Sequence, residues 1–413
     1  MNQLNYRFYK LAVTSLLVGI IAGCVGIFLG ILLRIVQHVA YGYSLDVIMS
    51  DVDFLDGVRA ASSQRRVLVL TCCGLIAALG WWGIRRYGKP LVRVADVVSG
   101  AKSFPPVVTT LHAILQIITV GLGSPLGRET APRELAGLLS GWVSEKIGLS
   151  AKDTRVMIAC GAGAGFAAIY NIPLAGAMFV LEVLLCTFRW SVLIPAFVSS
   201  ALAVAISWVG LGNVLEFHIA PFNISYSLVF WSVCIGPIFG LCAYWFMRVA
   251  SAADIAATKH SFSITYCVLN FVIIGLFAIY FPAILGNGKN VIHIEFDSII
   301  NIYVTLIFLI LRVVVTWTSM RAGAHGGLLT PSLANGALLG VLLGSLWSFI
   351  WPGVSPSIFA IIGATTFLAS AQKMPITAII LISWYLYCLP LVGPLVFTRG
   401  VKNRLARFRF ELW

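Results

Sequence analysis

The stretch Gly127-Arg128-Glu129-Thr130-Ala131-Pro132 interrupts apolar sequence, and a second stretch, Gly327-Leu328-Leu329-Thr330-Pro331, does so again 200 positions later. Each stretch follows a glycine–lysine pair by 39 positions, Gly88-Lys89 in the first case and Gly288-Lys289 in the second. A third matching pair is Asn171-Ile172-Pro173 and Lys373-Met374-Pro375. Duplicated halves with helix breakers at matching positions indicate a transport site near the middle of a membrane.

The composition is typical of a membrane protein. Of the 413 residues, 60% are hydrophobic and 10% are charged, whereas a soluble domain has about 25% charged residues. Apolar runs of about 20 residues, enough to cross a bilayer, recur along the chain. They lie near 11–36, 67–84, 108–124, 156–186, 191–211, 226–248, 264–285, 301–319, 333–351, 357–371 and 374–398. We therefore expect an all-α polytopic membrane protein.

The net charge of +13 does not indicate a nucleic-acid partner. Basic residues cluster between the apolar runs, for example at Arg65-Arg66, at Arg85-Arg86 and in 402–409. Clusters of this kind usually hold loops on the cytoplasmic side and contact anionic lipid. We expect membrane lipid as a partner and no nucleic acid.

The cysteines and tryptophans suggest structural roles. None of the nine cysteines forms a CxxC pair or a Cys/His metal spacing, so we expect no metal site and no cofactor. All nine lie in apolar stretches and are interpreted as small buried hydrophobic residues. Trp81, Trp82 and Trp351 lie near the ends of apolar runs, which predicts interfacial anchors.

The repeated breaks suggest an N-terminal transmembrane half at 1–212, a connector at 213–224 and a C-terminal transmembrane half at 225–413. No soluble regulatory domain is expected. Spacing alone leaves open whether the halves are parallel or inverted.

A helix that begins inside a membrane has N–H groups without partners, which lipid does not tolerate except beside protein or a water-filled cavity. Those donors and the positive end of the helix dipole can bind an anion without any lysine. The two stretches 127–132 and 327–331 therefore predict two helix N-termini that converge on one small anion.

Glu129 needs an explanation, because a carboxylate at membrane depth costs about 2.5–3.5 kcal/mol. One interpretation is a titratable acid that competes with the anion for the N–H donors and leaves the site when it is protonated. The other is a structural ion pair with Arg128 or Arg133.

The first stretch resembles the GREGP motif of the CLC family of anion channels and anion/proton antiporters, with one residue inserted before the proline. Gly326-Gly327-Leu328-Leu329-Thr330-Pro331 is similar to the family's GxFxP motif, and Asn171-Ile172-Pro173-Leu174-Ala175-Gly176 to its NAPLAG segment. The resemblance covers nearly the whole chain in order.

The resemblance implies two inverted halves with discontinuous helices that meet at a midplane anion site, assembled as a homodimer in a bacterial inner membrane. Glu129 would be the gating and proton-transfer residue. The anion-binding residues that the resemblance implies are Gly127, Arg128, Thr130, Gly327, Leu328, Leu329 and Thr330.

Several departures from the family pattern are informative. Tyr87-Gly88-Lys89-Pro90 lies where the family has GSGIP, so this filter entrance lacks the chloride-coordinating serine. Val183 occupies the position of the internal proton glutamate. Both features resemble the fluoride-exporting branch, in which a threonine at the position of Thr330 can face the gating glutamate. After Pro394 the chain has no counterpart of the tyrosine that closes the family's inner gate.

Other polar residues allow two interpretations each. His112 lies in apolar context, and His325 is either a proton shuttle or a packed or capping histidine. Glu182 is either a structural acid bonded to neighbouring loops or a proton relay. Lys89 and Lys289 either attract anions to an entrance or snorkel to the membrane surface.

These features predict transmembrane halide transport with halide and protons as partners. The leading hypothesis is fluoride/proton antiport that exports cytoplasmic fluoride, and the alternative is a chloride/proton antiporter or chloride channel. The sequence contains no HExxH, no GxSxG and no paired aspartates, so an enzyme is not expected.

Overall fold

A computed structural model describes residues 3–43, 53–213, 225–259, 263–296 and 301–385. Its first half contains nine helices and a π-helical extension of α8 at Val180–Leu184. The helices are α1 (Gln3–Tyr41), α2 (Phe54–Ala60), α3 (Ser63–Tyr87), α4 (Val94–Val98), α5 (Pro106–Gly121), α6 (Thr130–Lys146), α7 (Ala151–Tyr170), α8 (Pro173–Phe179) and α9 (Trp190–Leu211).

The second half is also helical, with a short 3₁₀ turn at Pro282–Ile284. Its helices in the described ranges are α10 (Tyr226–Lys259), α11 (Ile264–Tyr280), α12 (Lys289–Phe296), α13 (Ile302–Arg321), α14 (Leu329–Ser348), α15 (Pro356–Gln372) and α16 (Pro375–Tyr385). The predicted connector 213–224 lies outside the described residues except for Asn213, so the predicted division into halves stays a prediction.

The helix breaks that the two halves share have the same geometry. α7 ends at Asn171 and α15 ends at Lys373, and both residues are left-handed, with φ of 58° and 55°. A proline then begins the next helix, Pro173 for α8 and Pro375 for α16. A left-handed C-cap followed by a proline at the first helical turn is a strong stop-and-restart signal. The predicted breaks at these positions are thus confirmed.

The two motif stretches meet. The N–H of Gly127 donates to the Gly327 carbonyl at 2.7 Å, and the N–H of Gly327 donates to the Gly127 carbonyl at 2.8 Å. This antiparallel bridge is isolated, and within the described residues no strand extends it. α6 and α14 begin on either side of it, so two helix N-termini face each other inside the protein.

Six helices in the described ranges are long and apolar enough to cross a bilayer. Small residues let other helices pack closely, as α7 does against α6. On α7, Gly161 lies against Ser140 and Gly165 lies against the carbonyl of Pro132, both on α6, with no room for a Cβ. Close backbone approach of this kind replaces the hydrophobic effect as a packing force in lipid.

Basic residues mark one face of the molecule. Arg7, at the start of α1, ion-pairs with Asp153 at 2.7 Å. Lys10 donates to the Gly148 carbonyl at 3.2 Å, in the turn between α6 and α7. By the positive-inside rule we expect this surface, here called the basic face, to be the cytoplasmic one.

The direction of α3 follows from that of α1. Arg65, in the first turn of α3, donates to the carbonyl of Ala40 at the far end of α1, at 2.7 Å. The 25 residues of α3 rise about 38 Å at 1.5 Å per residue. The end of α3 near Arg85 therefore returns to the basic face.

Two groups of side chains differ from the sequence predictions. Trp81 is 1% exposed and is not an interfacial anchor, because its ring stacks on His325 within the helix bundle. Several cysteines are exposed rather than buried, since outward-facing positions of spanning helices are also apolar and Cys186 lies in the loop before α9. The exposed ones are Cys24, Cys72, Cys186 and Cys234, and Cys388 lies outside the described residues.

Candidate functional site

The carboxylate of Glu129 lies between the two facing helix N-termini. Glu129 is the residue immediately before α6 and has 0% exposure. Its Oε1 accepts a hydrogen bond from the N–H of Leu329, the first residue of α14, at 2.6 Å. An N–H at a helix N-terminus lacks an intrahelical partner and favours negative charge. The carboxylate thus occupies a position suited to an anion.

Two hydroxyl groups complete the surroundings of the carboxylate. Oε2 of Glu129 lies 3.4 Å from the Thr330 hydroxyl and 3.4 Å from the Tyr170 hydroxyl. The two hydroxyls are themselves 2.8 Å apart. Residues 170 and 330 come from different halves, so the candidate anion site, called the anion site below and defined as Glu129, Tyr170, Leu329 and Thr330, is built by both.

The glycines on either side of the carboxylate provide space. A Cβ built on Gly127 or on Gly327 would overlap the carboxylate oxygens of Glu129. The N–H groups of both glycines are engaged by the bridge between them. The two glycines would therefore contribute space for an anion. In this conformation their N–H groups are not available to donate to it.

The contacts of the neighbouring arginines bear on the ion-pair interpretation. Arg133 donates through Nε to the backbone carbonyl of Glu129 at 2.9 Å and through an Nη to the Thr130 hydroxyl at 3.1 Å. The guanidinium thus binds the first turn of α6 rather than the carboxylate. Thr130, a predicted anion-binding residue, is held by this contact just outside the anion site.

A cavity of about 160 Å³ approaches the site from the face opposite the basic face. Its lining includes Arg34 from α1, Arg128 from the motif, Asn171 from the α7 break and Lys289 from α12. Lys289 lies 3.9 Å from Asp53. Because most of the charges at this opening are positive, it would concentrate anions.

The predicted filter entrance lies elsewhere. Residues 87–90 begin with Tyr87, the last residue of α3, at the basic face, and Tyr87 is 79% exposed and packs edge to face on Trp82. The hydrogen bonds of Glu129 in the described residues do not include this segment. Its role stays a prediction.

Glu182 caps a helix. Its carboxylate, on a residue with 2% exposure, accepts from the N–H of Ile376 at 3.0 Å and from the N–H and hydroxyl of Thr377 at 2.8 and 2.7 Å. These are the first-turn donors of α16, which a carboxylate satisfies well. Val183, next to it, packs against the apolar core. The geometry supports the structural interpretation of Glu182.

We expect Glu182→Ala to destabilise the protein by about 2 kcal/mol or more, because three donors, two of them buried, lose a charged acceptor. Thermal unfolding in detergent measures this, and Glu145→Ala, at an exposed position on α6, is the control. If the protein exchanges protons for an anion, as the resemblance implies, the ratio of protons to anions moved should remain that of the wild type. A normal melting temperature together with a changed ratio would instead place Glu182 on the proton pathway.

Two further residues were not predicted from the sequence. Tyr170 contributes a hydroxyl to the anion site, and its only signal was its place directly before the Asn171 break. Arg312 on α13 is 0% exposed and donates to the carbonyls of Ile284, Gly286 and Pro125 at 2.9, 2.7 and 3.3 Å. An arginine inside an apolar run was the signal that could have identified it.

Comparison with known proteins gives a consistent answer. The family described as voltage gated chloride channel matches residues 73–401. The H(+)/Cl(-) exchange transporter ClcA of Vibrio parahaemolyticus is 30% identical over 291 residues, which make up 68% of this chain and 62% of that protein. The match thus spans less than two thirds of the relative's length.

Solved structures share the fold. A slow cyanobacterial Cl⁻/H⁺ antiporter superposes with a TM-score of 0.80 at 18% identity, covering 96% of this chain and 95% of that one. A CLC-type fluoride/proton antiporter superposes with a TM-score of 0.76 at 21% identity, covering 98% and 97%. Identities this low show the fold alone, and it is the fold that the sequence predicted.

The recognised family is one of channels and transporters, which agrees with the expectation that the chain is not an enzyme. The match over most of the chain adds to the paired helix breaks, the Gly127–Gly327 bridge and the buried carboxylate beside it. The chain is therefore a multi-pass integral membrane protein that belongs to the voltage-gated chloride channel (CLC) family.

Proposed function

We propose that this protein exchanges a halide for protons across the membrane, with Glu129 as the proton-binding gate. The observation that supports this most strongly is the hydrogen bond from the Leu329 N–H to the Glu129 carboxylate inside the protein. A halide of the same charge would use the same donors. Carboxylate and halide would therefore exclude each other.

The exclusion gives a coupling mechanism. When a halide enters the anion site, the carboxylate must leave the N–H of Leu329 and the hydroxyls of Thr330 and Tyr170. A displaced carboxylate at membrane depth is costly, and binding a proton removes its charge. Halide entry would thus favour proton uptake by Glu129, and halide release would favour proton loss. Because the halide and the proton favour each other's binding, each raises the affinity for the other by the same factor.

The names of similar proteins support exchange over a passive pore. The Vibrio relative is named an H(+)/Cl(-) exchange transporter, and two structural neighbours are titled Cl⁻/H⁺ and fluoride/proton antiporters. We extend the proposal to a homodimer in a bacterial inner membrane with lipid around it, built from halves at 1–212 and 225–413.

Within this function, fluoride is the proposed substrate and export from the cytoplasm the proposed direction. Fluoride is the smallest halide and accepts strong hydrogen bonds. The two hydroxyls are 2.8 Å apart, so one donates to the other and the second leaves an O–H for fluoride beside the Leu329 N–H. The departures at Tyr87-Gly88-Lys89-Pro90 and Val183 also resemble the fluoride-exporting branch.

Chloride is the second candidate, since the curated relative with 30% identity is named for chloride exchange. In liposomes loaded with both halides and followed by ion-selective electrodes, we expect fluoride efflux to exceed chloride efflux by about tenfold, which corresponds to about 1.4 kcal/mol. Protein-free liposomes are the control. Chloride efflux that equals or exceeds fluoride efflux would replace fluoride by chloride in this proposal.

A further inference from the structure

A second group of side chains, three of them titratable and one an amide, lies between Glu129 and the basic face and is buried except for the partly buried His325. It comprises His112 and Gln116 on α5, Glu134 on α6 and His325 just before α14, and is called the histidine–glutamate cluster. Nδ1 of His112 lies 2.8 Å from Oε2 of Glu134 and 2.9 Å from Nε2 of Gln116. The rings of His112 and His325 have their centroids 5.6 Å apart. His112 is 5% exposed and Glu134 is 8% exposed.

The hydrogen bonds at His112 allow a proton on either partner. If Gln116 donates its amide to Nδ1, that nitrogen is an acceptor, and Glu134 must then be the protonated acid. If the Gln116 amide turns over, its oxygen and the Glu134 carboxylate both accept from a protonated Nδ1. In the described part of the chain Oε1 of Gln116 has no hydrogen-bond partner. Rotating the Gln116 amide by half a turn therefore breaks no existing hydrogen bond of that oxygen.

His325 extends the cluster toward the basic face. An Nη of Arg85 lies 2.9 Å from Nε2 of His325, and because arginine can only donate, Nε2 accepts. Nδ1 then bears the hydrogen and faces Asp254 on α10 at 4.0 Å, and the Asp254 side chain is 47% exposed. The ring stacks on Trp81, with centroids 5.8 Å apart and planes 5° apart.

The cluster lies on the cytoplasmic side of the anion site. Glu134 follows Glu129 by five residues on α6, a rise of about 7.5 Å toward the basic face. His325 precedes Gly327 of the bridge by two residues. Arg85 also donates to the carbonyl of Ala257, near the end of α10, at 3.1 Å. From Glu134 through His112 and His325 the groups thus form a series that ends at a partly exposed carboxylate.

We propose that the histidine–glutamate cluster is the internal proton-binding site of this transporter, in place of the acid that is absent at Val183. This inference rests on the proposed proton exchange. The His112–Glu134 pair accepts the proton that Glu129 releases. One proton then moves on to His325 and Asp254 and from there to the cytoplasm.

Each transfer breaks one N–H or O–H bond and forms another. His325 passes its Nδ1 proton to Asp254 and takes a proton at Nε2 after Arg85 has turned away. Arg85 can retain its bond to the Ala257 carbonyl and a contact at 3.4 Å to the carbonyl of Gly323. The ionisable groups that act electrostatically on this series are Arg85, Arg93, Asp254 and Cys267.

The test uses His112→Gln, Glu134→Gln and His325→Gln in liposomes, with proton and halide fluxes recorded together. We expect proton flux to fall at least about tenfold, while halide flux changes less than about twofold. Glu145→Gln on the exposed end of α6 should behave as the wild type. A merely structural role would lower both fluxes together. Folded variants with the wild-type ratio of protons to halide would overturn the inference.

A readout without transport separates this inference from the proposed function. The infrared spectrum of the detergent-solubilised wild type should contain the carbonyl band of a protonated carboxyl group. Glu134→Gln should remove this band, and His112→Gln should shift it. If wild type and Glu145→Gln moved no protons, the proposed exchange would fail. The band would still decide whether the cluster holds a proton, and a spectrum unchanged by both substitutions would reject it.

Discussion

Glu129→Gln is expected to abolish proton transport and to leave a halide flux that no longer depends on a proton gradient. Glutamine has nearly the same shape as glutamate, and its amide oxygen can still accept a hydrogen bond from the Leu329 N–H. The amide group, however, does not bind or release a proton as a carboxylate does. As a neutral group it also competes less well for donors that favour a negative charge.

The measurement is a paired recording of pH and halide in liposomes, first with and then without a proton gradient. Glu145→Gln, which makes the same change at an exposed site on the same helix, should keep the wild-type coupling. Proton movement against a gradient by the Glu129→Gln protein would reject Glu129 as the gate. A loss of halide flux with no change in the proton-to-halide ratio would assign it a structural role.

Arg312→Met is expected to have the largest effect on stability. Arg312 is fully buried and donates to three carbonyls. Pro125 lies in the first half, in the loop before the first motif, and Ile284 and Gly286 lie in the second half, as Arg312 does. Its removal leaves three buried carbonyls without this donor, at about 1–3 kcal/mol each. We expect a loss of about 3 kcal/mol or more in the free energy of unfolding.

Thermal unfolding in detergent would detect this as a lower melting temperature and a smaller yield of folded protein. Arg248→Met on α10 is a matched control, because Arg248 is exposed and contacts Tyr244 and Trp245 on its own helix. Arg312→Lys should be intermediate, since an ammonium cannot reproduce the fork of donors. A melting temperature of Arg312→Met equal to that of the wild type would contradict the role assigned to Arg312.

The repeated breaks could be predicted because their signals are local. Asn171 and Lys373 each precede a proline by two residues, and the structure has both in the left-handed conformation that ends a helix. The approach of the two motif stretches also followed from the sequence, through the duplication and the resemblance. Their hydrogen-bonded bridge did not, because pairing between Gly127 and Gly327 depends on how the halves dock.

The side chains that were missed or misjudged depend on packing between distant segments. Tyr170 and Thr330 are 160 positions apart in the chain and 2.8 Å apart in space. His112 and Glu134 gain significance only when α5 lies beside α6. Trp81 has the sequence context of an interfacial anchor, yet α3 turns it inward onto His325. A hydropathy profile cannot distinguish these orientations.

The central claim is that the Glu129 carboxylate and the transported halide compete for the same donors. The most direct test is to titrate fluoride into detergent-solubilised protein in weak buffer and to record proton uptake with a pH electrode. The wild type should take up protons as fluoride binds, whereas Glu129→Gln should bind fluoride at least about tenfold more tightly, a gain of about 1.4 kcal/mol, with little or no uptake. Equal proton uptake by both proteins, or weaker fluoride binding by Glu129→Gln, would contradict the claim.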